Sequence, residues 1–181
     1  MVFFYFLLLI AICGQFGQTT SNDNCKKICL PEDFVRTLMR RDSKNPEHAH
    51  KDRPVFFASL KVRRFTLNGI NDVVKFEDVR INRGDGYNPS TGVFTAPKSG
   101  LYQISCMLLG DNGNRVQYHL MKNESIYTNG HVSYHEHESQ TISSILDLKK
   151  GDRVYIKHRV SAVQNIVGED YSTFSGYFLQ E

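Results

Sequence analysis

From residue 54 onward the chain alternates apolar and polar positions in short runs divided by turn residues. Val55, Phe56, Phe57, Ala58, Ser59 and Leu60 open the series, and residues 63–67 form a second short piece before Asn68 and Gly69. Val93, Phe94, Thr95 and Ala96 alternate, residues 97–100 turn, and residues 101–109 alternate again. Val116, Tyr118 and Leu120 share one face, with Gln117, His119 and Met121 on the other. Residues 140–148, 154–156 and 173–179 complete the set, and 122–125 and 149–152 are turns. A period of two bounded by Gly, Pro, Asn and Asp is the strand signal, and an Asn-Gly pair such as Asn68-Gly69 or Asn129-Gly130 signals a hairpin. The predicted class is all-β, a two-sheet jelly-roll sandwich of about ten antiparallel strands.

Three runs break the alternation. Cys106-Met107-Leu108-Leu109, Val154-Tyr155-Ile156 and Tyr177-Phe178-Leu179 are apolar on both faces. A sandwich strand normally shows one face to water. These strands are therefore expected either beneath loops or against other subunits, in an interface resembling a core cut in half.

The pattern before residue 54 is different. Residues 2–12 are an unbroken apolar run followed by small and polar residues. This reads as a secretory signal peptide over residues 1–19, with cleavage within 14–21. A membrane anchor needs about 20 apolar residues and this run is shorter, so no membrane span is expected. Residues 20–53 turn polar and charged, a stalk or linker in which Pro31, Glu32 and Asp33 suit a helix start. Phe34, Val35, Leu38 and Met39 follow at helical spacing, a nascent helix or a small coiled-coil nucleus. The globular domain is expected over residues 54–181.

Composition narrows the function. The 181 residues are 40% hydrophobic and 12% aromatic, enough for one sizeable core beside a leader and a stalk. The formal charge of +3 is scattered among acidic residues, which disfavours nucleic acid as a partner. Export implies an oxidising compartment. With Cys13 removed, Cys25, Cys29 and Cys106 remain, an odd set. Cys106 reads as a small buried hydrophobe, and Cys25 and Cys29 as candidates for inter-chain bonding.

The spacing of Phe76, Asn82, Tyr87, Phe94, Gly100 and Tyr102 resembles the signature of the C1q globular-head family, and the closing strand, with Phe174, Gly176 and Phe178, is similar to that family's last strand. Two further family positions, usually aromatic, hold Ile104 and Cys106, smaller apolar residues that a core can accommodate. The resemblance covers residues 54 to 181 and implies a C1q/TNF-like jelly roll assembled as a closed homotrimer. No Gly-X-Y repeat is present. What the family implies for function is ligand binding through loops: innate-immune, lectin-like recognition of microbial or glycan surfaces, with avidity from multivalency. A tumour necrosis factor- or cerebellin-like ligand for a host receptor is the alternative, and a structural matrix component a third.

Several groups bear candidate chemistry. Arg83-Gly84-Asp85 spells the tripeptide that integrins recognise, although Gly84 and Asp85 are also ordinary turn residues. Arg83, Asp85, Tyr87, Arg115, Tyr134 and Tyr171 are expected ligand contacts in loops. His131, His135 and His137 form a dense cluster in which His135 and His137 would share one side of a strand and hold zinc or copper if a third ligand converges, or the cluster would form a pH-responsive surface; otherwise no cofactor is expected. Asn123-Glu124-Ser125 is a glycosylation sequon in a predicted turn, whereas Asn88-Pro89-Ser90 is excluded by its proline. No nucleophile elbow, zinc-protease helix or phosphate-cradling loop occurs, and a catalytic role is not expected.

Overall fold

The computed structural model describes residues 53–111, 113–133 and 138–181. The leader, the stalk, Cys25, Cys29, Tyr134, His135 and His137 lie outside them. Twelve strands run in chain order: β1 Val55–Ser59, β2 Arg64–Leu67, β3 Asp78–Arg83, β4 Tyr87–Asn88, β5 Val93–Thr95, β6 Gly100–Gly110, β7 Val116–Lys122, β8 Ser125–Val132, β9 Ser139–Leu148, β10 Arg153–His158, β11 Gln164–Val167 and β12 Thr173–Gln180.

They form two antiparallel sheets. One has five strands in the order β4-β5-β10-β7-β8. The other has seven and is built on β6, whose one edge pairs with β9 along its length. Its other edge pairs with β12 over residues 101–107 and then with β11 at Leu109 and Gly110. Beyond β12 lie β1 and β3, and β2 pairs with β11.

The alternation along β6 explains the core. Tyr102, Ile104, Cys106 and Leu108 are fully buried, while Gln103, Ser105 and Met107 face outward and are only half-buried. Between the sheets Phe56 stacks on Tyr87 and Phe94 at 5.1 and 4.6 Å, and Phe174 meets it edge-on at 4.9 Å. Offset and edge-on pairs suit ring quadrupoles and add to the area each ring removes from water. Gly176 belongs to this packing, because a Cβ there would sit 2.5 Å from Ile104 Cδ1 and 2.6 Å from Phe56. Ile104 and Cys106 fill the core as smaller apolar residues, and burial pushes the Cys106 thiol up out of its reactive range.

Three expectations need correction. Asn129-Gly130 is not a turn, since β8 runs straight through it. Gly130 lies opposite Tyr118, and any Cβ there would overlap the Tyr118 ring, so the glycine serves a close approach and not a reversal. Two strands, β4 and β11, have no counterpart among the expected runs, since their place is set by the strands they pair with. Of the runs apolar on both faces, Leu109 and Tyr155 are each only 8% exposed within a single copy and need no neighbouring subunit. Tyr155 is held by its hydroxyl, which donates to the Asn123 carbonyl at 2.9 Å. Tyr177, by contrast, is 51% exposed.

Candidate functional site

Chain entry and exit share one end of the sandwich. Phe178 N donates to the Pro54 carbonyl at 2.9 Å, and Gly100 abuts Gln180 and Glu181. From Gly100, β6 carries the chain to Gly110 at the opposite pole, roughly 33 Å away at the usual rise per residue.

The expected contact residues divide between these ends. Asn82 anchors the near end: its Nδ2 donates to the Tyr87 carbonyl at 2.9 Å and its Oδ1 accepts from Tyr87 N at 3.0 Å. This clamp closes the turn that holds Arg83, Gly84 and Asp85, all exposed, with Asp85 at φ 51°. A Cβ on Gly84 would meet Pro54 and Pro97, so the tripeptide lies on the side where the chain enters. Tyr87 is corrected from contact to core. It is 3% exposed, its hydroxyl donates to the Phe76 carbonyl and accepts from Phe76 N, both at 3.1 Å, and burial raises its pKa well above the ordinary value. Its side chain has no face to offer a ligand.

Asn123 sits at the β7–β8 turn, half-buried, with φ 54°. Its Oδ1 accepts from Arg153 N at 2.8 Å and its Nδ2 donates to Asp152 Oδ1 at 3.1 Å. The sequon asparagine thus also ties the hairpin to β10. Glu124 pairs with Arg153 beside it.

At the far pole a depression of about 620 Å³ opens on the outer face of the seven-stranded sheet. Met107, Leu109 and Val167 supply apolar surface, and Tyr171, 57% exposed, contributes an aromatic side chain. Arg63, Arg64, Asp111 and Glu169 bring charge to the lining. Arg64 Nε is held by Asp111 Oδ2 at 2.6 Å. Arg115 is half-buried just before β7 and is engaged within the protein.

The loop joining β11 to β12 positions Glu169 and Tyr171. Gly168 passes so close to Val62 that any Cβ would overlap the Val62 carbonyl. Glu169 and Asp170 follow at φ 50° and 68°, a left-handed pair that costs free energy unless the surroundings hold it. They do so through Asp170 N to Leu60 O at 2.9 Å, Ser59 Oγ to Asp170 Oδ1 at 2.7 Å and Arg80 Nη2 to the same oxygen at 2.7 Å. Lys61 Nζ reaches Asp170 at 3.3 Å and Asp78 at 3.5 Å. The Ser59 hydroxyl and the flanking cations hold the Asp170 carboxyl below the usual carboxylate range, and Arg80 does the same for Asp78.

Among the described residues no three His, Cys, Asp or Glu side chains converge on a metal position. His131 is exposed near the end of β8, and its backbone N–H donates to Gln140 Oε1. Of the expected contacts among the described residues, Tyr171 alone lines the depression. Arg63, Arg64, Asp111 and Glu169 escape sequence reasoning because they come from three separated segments with no motif in common.

Comparison with known proteins fits this architecture. The C1q domain family model matches residues 55–179. The heavy metal-binding protein HIP of Mytilus edulis is 29% identical over 132 residues, covering 71% of this chain and 62% of that protein. Caprin-2 of Danio rerio is 25% identical over 150 residues, covering 76% of this chain but 16% of its own length. The chain therefore spans less than two thirds of either relative. Among solved structures, the globular domain of zebrafish complement 1qA superimposes with a TM-score of 0.58 at 21% identity, over 71% of this chain and 99% of that one. Murine APRIL gives 0.53 at 14% identity, over 70% and 99%. Domains of this kind are not enzymes. A matched signature, a two-sheet jelly roll and a family model spanning most of the folded region converge: the chain belongs to the C1q domain family.

Proposed function

We propose that this protein is a secreted, homotrimeric recognition head that binds microbial or glycan surfaces at the pole remote from its tether. The observation that carries this reading is the depression at that pole, of a size suited to a small ligand and opposite the end where chain entry and exit meet.

Trimer formation is supported by the outer face of the seven-stranded sheet. Across four strands Ile145, Gln103, Tyr177 and Val55 lie in register, and in the next row Ser175, Phe57 and Ile81. Ile145, Tyr177 and Ile81 are 55, 51 and 48% exposed, large apolar side chains interspersed with Gln103 and Ser175 on a face that we assign to the interface. Three weak sites in one assembly raise avidity without new contacts. Asn123 carries a glycan and Cys25 and Cys29 link chains in the same proposal.

The test is binding of the purified secreted protein to bacteria and to a glycan array, beside its Tyr171→Ala variant. Saturable binding lost in the variant supports the reading. Saturable binding to host cells that sugars do not compete would replace it with a receptor ligand. A second reading, metal binding, is favoured by the name of the mussel relative and draws on His131, His135 and His137. Calorimetric titration with zinc checks it, and absence of heat removes it.

A further inference from the structure

Two side chains of opposite charge line the far-pole depression, and among the described residues neither has a hydrogen-bonding or ionic partner: Arg63 and Glu169. Their segments are neighbours, joined by Gly168 N to Arg63 O at 3.0 Å and Glu169 N to Val62 O at 3.3 Å. Yet no ion pair joins them. The other two charged side chains of the lining are committed to each other, Arg64 to Asp111, and Asp170 in the same loop is held by Arg80 and Lys61. Among the described lining residues, one cation and one anion remain available beside apolar surface and an exposed tyrosine.

Glu169 and Tyr171 also stand on a loop whose backbone is held throughout. Besides the contacts of Asp170, Tyr171 N donates to Gly168 O at 3.0 Å, and Ser172 Oγ donates to Val167 O at 2.7 Å while accepting from Leu109 N at 3.0 Å. A ligand meeting this loop loses little free energy to ordering it.

We propose that the depression binds a zwitterionic headgroup, its ammonium between the Glu169 carboxylate and the Tyr171 ring and its phosphate or carboxylate on Arg63, with apolar parts against Met107, Leu109 and Val167. This rests on the recognition reading above and names its ligand class. A simple anion would be repelled by Glu169 and a simple cation by Arg63, so only a ligand bearing both charges satisfies both residues. An ammonium over an aromatic face gains from the ring quadrupole, and a guanidinium matches a phosphate or carboxylate with paired donors.

Calorimetry on the full secreted protein with phosphocholine, choline and inorganic phosphate tests this. Phosphocholine is expected to bind at least tenfold more tightly than either fragment. Glu169→Gln should weaken phosphocholine and choline tenfold or more while strengthening phosphate, and Arg63→Gln should weaken phosphocholine and phosphate while strengthening choline. Circular dichroism and light scattering establish that both variants fold and assemble as the parent does. Binding to phosphatidylcholine vesicles as well as to free phosphocholine places the headgroup on a lipid surface, and binding to the free form alone places it on another carrier. No heat from phosphocholine, or equal affinity in the variants, overturns the proposal. So does hydrogen-exchange protection of Tyr171 that disappears when the oligomer dissociates, since a second copy would then occupy the site. Bacterial or glycan binding that needs Tyr171 without any response to phosphocholine refutes the ligand class and leaves the recognition reading standing.

Discussion

At the scale of single residues, the family signature consists of side chains with specific partners. Asn82 replaces two backbone hydrogen bonds in the Tyr87 turn, and its removal leaves a half-buried N–H and C=O unmatched. Asn82→Ala is expected to cost about 1–3 kcal/mol, measured by urea unfolding. Cys106 is buried and its thiol is pushed up, so a thiol reagent should label it only at the rate of global unfolding. Gly168 has no room for a Cβ against Val62 O. Gly168→Ala should destabilise by about 1–3 kcal/mol through forced backbone displacement, and should also disturb Tyr171.

At the scale of elements, the loop between β11 and β12 is bound through Asp170 to Ser59 of β1, to Lys61 just after it and to Arg80 of β3. Asp78 and Asp170 are both lowered from 3.8 by hydrogen bonds and nearby cations, and Lys61 is raised from 10.5 by Asp170 first. A carboxyl whose folded pKa is depressed contributes stability that is present above its unfolded pKa and lost as pH falls through the folded one. The stability of the pole should therefore fall as the medium is acidified below 3.8. Lysine has the opposite sign, and its contribution is present below 10.5 and lost above it. The groups are largely exposed, so salt should reduce both effects. Hydrogen exchange of residues 168–172 against pH, with Asp170→Asn as comparison, reads this directly: the acid dependence should shrink in the variant. The long strands β6, β9 and β12 were readable as extended apolar-faced runs, because each buries one face along most of its length. Short β4 and β11 were not, since their place is set by the strands they pair with.

At the scale of the whole molecule, the outer face of the seven-stranded sheet carries the proposed assembly. Tyr177 lies between Gln103 and Val55 in register, half exposed. Tyr177→Asp is expected to lower the mass seen by light scattering from trimer to monomer while leaving far-ultraviolet circular dichroism unchanged; an unaltered mass would remove this face from the interface. Alternation by itself determined the strand-rich class and much of the buried core, because burial on one face of a pleat leaves a local, period-two record in the chain, while the Phe76-to-Tyr102 signature was legible as a resemblance to the C1q family. It also marked Tyr171 as a loop aromatic. Only the tertiary structure decided that Tyr87 is core, that Leu109 and Tyr155 are covered within one copy, and that Arg63, Asp111, Glu169 and Tyr171 share a depression at the Gly110 end of β6. Those are relations between residues up to 108 positions apart, created by strand pairing and by a glycine that lets one loop pass over another.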